Sequence, residues 1–309
     1  MLYNIYMTSI LYYTNNLLPS QILENTLTAV NHLCLQNNCE LIITSHFPIT
    51  KSYEEIDISE SPADRMYSGK INVETKEARI ANIYKHLVKD LRLDLTCNHK
   101  SYVVGKLPYI HKSIFKQILL GMEKAKGEIV IFMEHDCFYP EDYISAVETA
   151  LQQHGFGYCH QKCCYLDFEG FFRADTRFML SGVSGKKDLL TRIFSRKLEL
   201  LNYGQPYYFE PVLDSATPDF KEKYSEVFAT NPVCIDPYLP ENHDILDIKH
   251  KLNQGGQLAM LKTHPGAMQN YQKIESHPYW GPADTFIDML KIDLDKGTET
   301  ECLLGTRYF

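Results

Sequence analysis

A short apolar run near the middle of the chain predicts a buried strand. The run extends from Ile129 to Met133, is rich in β-branched residues, and follows Gly127. It is too short for a helix and is typical of a central strand in a parallel sheet. Two carboxylates, Glu134 and Asp136, come directly after the run. The pattern therefore places two acids at the carboxyl end of a buried strand.

Alternating strand and helix patterns precede this run. Leu2 to Tyr13 is rich in Tyr and Ile and predicts a first strand, and Leu41 to Thr44 predicts a second. Between them, Pro19 lies in the first turn of a predicted helix. The apolar face of that helix comprises Ile22, Leu23, Thr26, Leu27, Val30, Leu33 and Cys34. A strand-helix-strand opening implies a parallel sheet with a right-handed crossover.

The alternation continues up to the central run and past it. Phe47 to Lys70 is polar and irregular and predicts a loop, whereas Asn72 to Leu91 has the apolar spacing of a helix. Ser101 to Val104 predicts a short strand. His111 to Ala125 predicts the helix that leads into the central run, and Pro140 opens a further helix. The sequence therefore predicts an α/β fold.

The second half of the chain has a more mixed pattern. Tyr158 to Arg173 predicts a β excursion, and Gln257 to Lys262 predicts a strand that ends just before His264. Glu241 follows a proline, and the acids after it predict the first turn of a helix, where acids are favourable.

The two acids after the central run are candidate ligands of a divalent cation. Ligands of open α/β sheets bind beyond the carboxyl ends of the strands. Carboxylates one residue apart at such an edge can bind one cation together with a diphosphate. An acid-x-acid triplet by itself more often marks a solvated turn. The helix and strand patterns on both sides favour the cation site at Glu134 and Asp136.

Three consecutive stretches resemble the core of GT-A-fold glycosyltransferases, especially the family-2 type. They are Lys112 to Glu128, Ile129 to Asp136, and Tyr139 to Tyr143. That family has a basic helix, a small-x-x-Ala-x-Gly-Glu turn, a hydrophobic strand, an Asp-x-Asp motif and a nearby proline. Here Glu134 stands where the family has its first Asp.

The resemblance implies an α/β fold of GT-A type. Such a fold has a mostly parallel central sheet with helices on both faces and a smaller acceptor-side β/α portion. Residues 1–140 would form the nucleotide-sugar-binding half, and residues 141–309 the acceptor-binding half of the same domain. The stretch from Phe178 to Leu190, with small residues followed by a basic helix start and paired leucines, resembles the next landmark of the family.

The resemblance also implies the residues that would bind the donor. A cation, Mn or Mg, would lie on Asp136 and Glu134, with a C-terminal histidine as third ligand, first His264 and second His277. Lys112 would help to neutralise the diphosphate of the nucleotide-diphosphate sugar. The loop after the first strand would hold the base and ribose through Tyr12, Tyr13, Thr14 and Asn15.

A catalytic base is expected in the segment that begins at Glu241. In the family a Glu-Asp pair opens a helix there, and in inverting enzymes an acid of this segment takes the proton of the acceptor hydroxyl. This sequence has Asn242 at the second position of the pair, so the assignment stays open between Glu241 and Asp244. Plain capping of a helix by these acids is the alternative.

Composition limits the setting in which the protein works. The chain has 309 residues, of which 44% are hydrophobic and 23% charged, enough for one large domain. No apolar run approaches the length of a membrane span, and the N-terminus lacks the marks of a signal peptide. Nine cysteines in such a chain favour reduced thiols and a cytoplasmic location. The net charge of −8 disfavours a broad nucleic-acid surface.

The expected activity is transfer of a sugar from a nucleotide-diphosphate sugar to an acceptor hydroxyl. The acceptor is a glycan or a lipid-linked sugar, or alternatively a hydroxymethylated pyrimidine in DNA, as in some viral glycosyltransferases. DNA modification would use aromatic residues of the second half and a basic helix. These residues are Phe171, Phe172, Tyr203, Tyr207, Tyr208 and Phe209, and Lys186, Lys187, Arg192, Arg196 and Lys197.

Two other classes compete with this interpretation. A nucleotidyltransferase would carry a glycine-rich basic loop after the first strand, whereas this chain has Thr14-Asn15-Asn16 there. A catalytically inactive GT-A-like binding module would not need the two acids after the central strand. Turnover of a sugar donor separates an enzyme from a binding module.

Overall fold

The computed structural model describes residues 7–16, 18–58, 88–105, 110–154, 158–160, 163–167, 170–174, 182–202, 233–248 and 271–290. Within these ranges the first ten strands are β1 (Thr8–Thr14), β2 (Glu40–Ser45), β3 (Glu54–Glu55), β4 (His99–Val103), β5 (Ile129–Glu134), β6 (Cys137–Phe138), β7 (Tyr158–His160), β8 (Cys163–Asp167), β9 (Gly170–Ala174) and β10 (Ser184–Lys186). The remaining strands are β11 (Val233–Cys234), β12 (Ile245–Ile248), β13 (Tyr271–Ile274), β14 (Ser276–His277) and β15 (Gly281–Pro282). The helices are α1 (Ser20–Asn37), α2 (Ile110–Lys124), α3 (Tyr143–His154), α4 (Lys187–Asn202) and α5 (Ala283–Leu290), with a 3-10 turn at Asp236–Tyr238.

A mostly parallel sheet forms the centre of the described structure. Its eight strands lie in the order β11-β7-β10-β5-β1-β2-β4-β3. The five strands from β5 to β3 in this order are mutually parallel, and β10 runs antiparallel to both of its neighbours. The register places Tyr13 of β1 opposite Glu134 of β5 and Thr44 of β2. The carboxyl ends of these three strands therefore meet at one edge.

Helices cover both faces of this sheet. Alternate side chains of each strand point to opposite faces, so each strand contributes to two cores. Ile10 and Tyr12 of β1 belong to a core with the buried side chains of α1 and α3. Leu11 and Tyr13 belong to a second core with the buried side chains of α2 and α4. The apolar runs of β1 and β5 are buried on both faces, as in an α/β sheet.

A second sheet of five strands adjoins the first. Its order is β13-β9-β8-β12-β6, in which β12 is parallel to β8 and antiparallel to β6. The chain passes from β5 in the main sheet to β6 in the second sheet through only His135 and Asp136. The two residues that the sequence singled out as a cation site therefore border the junction between the two sheets.

The structure confirms most elements that the hydrophobic pattern predicts. The buried residues of α1 are the seven residues that its apolar spacing predicts. The central strand, the preceding helix α2 and the β excursion after residue 157 are present. The predicted helix start at Glu241 is wrong, because Ile245–Ile248 is a buried strand that pairs with β8 and β6.

Some predictions fall on parts of the chain outside the described residues. They include most of the predicted helix from Asn72 to Leu91, the predicted strand from Gln257 to Lys262, and His264. Four of the aromatic residues considered for DNA modification, Tyr203, Tyr207, Tyr208 and Phe209, also lie outside the described residues. None of the described helices combines the length and the apolar character that crossing a membrane requires.

Candidate functional site

The two acids after β5 lie close enough to share a cation. Ligand atoms of Glu134, Asp136 and Cys137 all lie within 4.8 Å of one another. Oxygen ligands on one Mg²⁺-sized cation, at about 2.1 Å from it, lie about 3–4 Å apart, so a small side-chain rotation would complete the geometry. Asp136 is only 7% exposed, whereas Glu134 is half-buried. The two carboxyl groups thus form a partly buried acidic cluster at the carboxyl edge of the sheet.

Cys137 contributes to this cluster in a different way. Its Sγ donates a hydrogen bond to Oδ1 of Asp136 at 3.7 Å. Hard cations such as Mg²⁺ and Mn²⁺ prefer carboxylate oxygen over a thiol. The residues present therefore fit a hard divalent cation on the two carboxylates, with Cys137 beside them as a neutral hydrogen-bond donor.

Two tyrosines hold Glu134. Tyr13 OH donates to Oε1 of Glu134 at 2.7 Å, and the backbone N of Glu134 donates to Tyr139 OH at 2.9 Å. Burial raises the pKa of both phenols well above the ordinary value, and the carboxylate of Glu134 acts in the same direction. Both phenols therefore stay protonated, and Tyr13 remains a donor to the carboxylate at every physiological pH.

The loop between the two acids rests on a chain of hydrogen bonds from the opposite face. Tyr12 OH bonds Oγ1 of Thr26 at 2.9 Å, and Thr26 Oγ1 lies 2.8 Å from the carbonyl oxygen of His135. Thr14 Oγ1 contacts Nδ1 of His135 at 2.5 Å. Burial lowers the pKa of His135 to about 4, so its ring is neutral near pH 7. These contacts fix the backbone that carries the two carboxylates.

The four residues predicted to bind the base and ribose differ in how exposed they are. The ring of Tyr12 is completely buried and that of Tyr13 is 5% exposed. Thr14 is buried against the loop, and Asn15 is half-buried. Tyr12 thus lies within the core, while Asn15 is the most exposed of the four.

Asn16 joins the end of β1 to the neighbouring loops. Its φ of 61° lies in the left-handed region, which Asn adopts more readily than most residues. Its Oδ1 accepts from the backbone N of His46 at 2.9 Å and of Phe47 at 3.2 Å. Its Nδ2 donates to the carbonyl oxygen of Val88 at 2.9 Å. The loop that follows β1 is therefore fixed to the loop that follows β2.

A buried polar cluster lies beneath this edge. Nε2 of His46 bonds Oγ of Ser113, and Ser113 also contacts Gln117. With its amide oriented to satisfy both atoms, Gln117 donates to the carbonyl oxygens of Thr14 and Thr44 at 3.1 Å. Burial lowers the pKa of His46 to about 4, so the imidazole is neutral. The cluster connects the first turns of α2 to the ends of β1 and β2.

Asp247 of β12 is a buried acid next to this site that sequence reasoning did not select. It lies opposite Cys137 in the ladder and is 1% exposed. The charge of its carboxylate raises the pKa of His135, against the larger effect of burial. In the sequence, Asp247 is the only acid among the otherwise apolar residues Ile245 to Ile248. Its burial follows from the pairing of this strand with β6 and β8, which the sequence alone does not show.

The second group of candidate residues lies at the start of β12. Nε2 of the fully buried His277 lies 3.2 Å from Oδ2 of Asp244, whose side chain is 11% exposed. The indole Nε1 of Trp280 donates to the carbonyl oxygen of Asp244 at 3.1 Å. Glu241, the other candidate base, is exposed. Of the two candidate bases, Asp244 is the one whose side chain is buried and lies within hydrogen-bond distance of a neighbouring side chain.

The other predicted site residues are placed only in part. Lys112 lies in the first turn of α2, at the amino end of a helix, and its side chain is outside what the structure describes. His264 also lies outside the described residues. Nε2 of His277 lies beside Asp244 and Nδ1 accepts from Tyr279 and Trp280. Among the described residues, the group of possible metal ligands at Glu134 and Asp136 does not include this second-choice histidine.

Comparisons with known proteins give weak similarities. No family model matches the chain, and no curated protein matches it. Among solved structures, S. aureus TarS 1-349 in complex with UDP-GlcNAc is 11% identical with a TM-score of 0.42, over 96% of this chain and 70% of that chain. The same protein in complex with UDP is 12% identical with a TM-score of 0.35, over 63% of this chain and 55% of that chain.

A further crystal structure of S. aureus TarS is 12% identical with a TM-score of 0.34, over 60% of this chain. The match spans only 29% of the length of that TarS chain. These scores are too low to assign a family or an activity, so the case for function rests on the geometry of the two acidic sites.

Proposed function

We propose that the protein is a metal-dependent glycosyltransferase of GT-A type that uses a nucleotide-diphosphate sugar. The observation that carries this proposal is the pair Glu134 and Asp136 at the carboxyl end of the central strand, with their oxygens within reach of one cation. Ligands of α/β sheets bind at this edge, and the adjoining ends of β1 and β2 supply the walls of the site.

The donor half of the proposal uses residues at the ends of β1 and β5 and at the start of α2, together with His264. Asp136 and Glu134 would hold Mn or Mg, and His264 remains a proposed third ligand. When bound, the cation would neutralise the diphosphate and the charge that grows on it as the sugar departs. Tyr13 orients Glu134 by its hydrogen bond. Lys112 would add positive charge, and Thr14 and Asn15 would line the nucleoside site.

The acceptor half of the proposal uses Asp244 as the base. Asp244 would accept the proton of the acceptor hydroxyl during in-line attack, with inversion at the sugar carbon. It is favoured over Glu241 because a buried neighbour fixes its carboxylate, and a base must be held in position to act in the transition state. Residues 1–140 and 141–309 would then supply the donor and acceptor sides of one site.

A glycan or lipid-linked sugar is the proposed acceptor. No observation on the described part of α4 favours DNA. Lys187 Nζ donates to the carbonyl oxygen of Ala125 at 2.9 Å, and Arg196 pairs with Glu199 at 2.6 Å. Lys197 is only 1% exposed. Three of the five cations proposed for a DNA-binding helix are thus engaged within the protein.

The test is a thermal-shift measurement with UDP, GDP, CMP and their sugars, with and without manganese. A ligand at a hundredfold excess over its dissociation constant stabilises the native state by about 2.7 kcal/mol. We expect a shift that needs manganese and occurs with one nucleotide. Asp136→Ala should abolish this shift, whereas the matched control Asp94→Ala, at a 74% exposed surface carboxylate, should retain it.

Two outcomes oppose the proposal. The absence of a shift with every nucleotide, in a folded wild-type sample, would favour an inactive binding module. A manganese-dependent shift that survives Asp136→Ala would place the cation elsewhere in the protein.

A further inference from the structure

His277 is buried in a position where each of its ring nitrogens has a partner. The side chain is 0% exposed. Nδ1 accepts hydrogen bonds from the backbone N of Tyr279 and of Trp280, each at 3.2 Å. Nε2 lies 3.2 Å from Oδ2 of Asp244. The histidine thus connects the turn between β14 and β15 to the start of β12.

The two backbone donors fix the tautomer of this ring. A nitrogen that accepts N–H bonds carries no proton, so in the neutral imidazole the proton must be on Nε2. His277 therefore donates its Nε2–H to Oδ2 of Asp244. The hydrogen bond has one direction only, and the ring cannot rotate without breaking the bonds to Tyr279 and Trp280.

The surroundings hold this arrangement in place. The ring of Phe171 lies 5.7 Å from that of His277, and the β14–β15 pair encloses the turn. Trp280 donates its indole N–H to the carbonyl oxygen of Asp244 and packs its ring against Phe138. Asp244 is therefore held at both its side chain and its backbone by the same short hairpin.

We propose that His277 is a positioning residue for Asp244 in the transfer reaction, an inference that rests on the proposed function. The donated Nε2–H holds one oxygen of the carboxylate. Asp244 then receives the proton of the acceptor hydroxyl as the new bond forms between the acceptor oxygen and the sugar carbon. The bond from that carbon to the diphosphate breaks, and its electron pair leaves with the nucleoside diphosphate. His277 neither gains nor loses a proton in this step.

Two substitutions separate this role from support of the hairpin. His277→Asn keeps an acceptor near the position of Nδ1 for the two backbone donors but has no donor for Asp244. His277→Gln keeps a donor near the position of Nε2 and loses the acceptor. Displacement of a reacting group by about 1 Å costs on the order of 10²-fold. We therefore expect kcat of His277→Asn to fall about 10- to 100-fold with the donor KM unchanged, while His277→Gln stays close to wild type.

A second pair of variants tests whether His277 acts through Asp244. In the Asp244→Asn background, His277→Asn should cause no further loss of kcat, because the group that it positions is already absent. Long-range ¹H–¹⁵N spectra of the wild-type protein should show His277 protonated at Nε2 and unprotonated at Nδ1. Thermal melts of each variant establish that it is folded.

The outcomes distinguish this inference from the proposed function. Absence of turnover by wild type with every nucleotide sugar overturns the proposed function. With wild type active, a larger loss in His277→Gln than in His277→Asn overturns the positioning role and leaves only a structural one. An equal loss from His277→Asn in both backgrounds, or a ring protonated at Nδ1, also overturns the inference.

Discussion

The two acidic regions of the molecule, at the end of β5 and at the start of β12, differ in the groups that surround their carboxylates. At the end of β5, two carboxylates lie within 4.8 Å of each other with phenol and thiol donors beside them. At the start of β12, the carboxylate of Asp244 faces Nε2 of the buried His277. A pair of like charges at short range is stabilised by a cation, whereas a carboxylate that accepts a hydrogen bond from a histidine is stabilised by that donor. The groups around each carboxylate thus favour cation binding at Glu134 and Asp136, and hydrogen bonding to His277 at Asp244.

The regions also differ in how the chain assembles them. Glu134 and Asp136 are neighbours in sequence, and one strand places both. Asp244 and His277 are 33 residues apart, and two strands of different sheets bring them together. The spacing of the acids in the first site is set by local sequence, whereas the second site depends on tertiary pairing. Mutations should therefore affect the two regions separately.

The largest expected effect is at the first region. Asp136→Ala removes a proposed cation ligand, and we expect donor turnover to fall about 10³-fold, the order of a lost electrostatic contact to the departing group. Steady-state kinetics over a range of manganese concentrations would measure this loss. Asp94→Ala serves as the control for loss of a carboxylate. Normal turnover by Asp136→Ala would show that Asp136 does not hold a cation that the transfer reaction needs.

The next effect is at the second region. Asp244→Asn should lower kcat by about 10²-fold, within the usual range for general-base catalysis, without changing the donor KM or manganese dependence. Glu241→Gln, an isosteric change at an exposed acid, should leave kcat nearly unchanged. If Glu241→Gln caused the greater loss, the two candidate bases would exchange roles.

A pH effect on stability is expected from the buried polar cluster beneath the first region. Burial lowers the pKa of His46 from 6.5 to about 4 in the native state. Because the unfolded chain binds the proton first, the contribution of His46 to stability is full above pH 6.5 and is lost as pH falls towards 4, by about 2 kcal/mol between pH 7.5 and 5. His135, whose pKa burial also lowers to about 4, adds a similar loss. Urea unfolding at these pH values measures it. His46→Gln should reduce this dependence, and an unchanged dependence would assign it to other groups.

The smallest effect separates two neighbouring tyrosines. Tyr13→Phe removes the hydrogen bond to Glu134, so we expect about tenfold weaker manganese binding, as for other groups that orient a ligand. Tyr12→Phe removes the bond to Thr26, but Thr26 keeps its own bond to the carbonyl oxygen of His135, so the change should cost about 1 kcal/mol of stability without changing manganese affinity. Calorimetric titration and unfolding of both variants measure the difference, and equal manganese affinities would contradict it.

Much of the main sheet follows from the sequence, because local pattern and burial agree there. The β-branched run before Glu134 is buried on both faces, and the apolar spacing of α1 matches its buried residues. The carboxyl edge of a parallel sheet is a general ligand site, so the position of Glu134 and Asp136 could be predicted from their strand alone.

The second region could not be predicted in the same way. The acids after Pro240 favour a helix start, but pairing of Ile245–Ile248 with β6 and β8 makes a strand instead. Tertiary pairing overrides a weak local preference for a helix. The contact of His277 with Asp244 depends on this pairing, and so does the buried position of Asp247 beside Cys137. No spacing in the sequence encodes either contact.

One backbone hydrogen bond connects the regions that have been compared. The amide of Ile248 donates to the carbonyl oxygen of Asp136 at 2.8 Å. Each opening of the loop between β5 and β6 must release this amide to exchange with deuterium. A ligand that holds the loop closed slows the exchange of Ile248 by the factor by which it stabilises the closed loop. The exchange rate of one amide in the second sheet, that of Ile248, can therefore report whether a ligand is bound at Glu134 and Asp136.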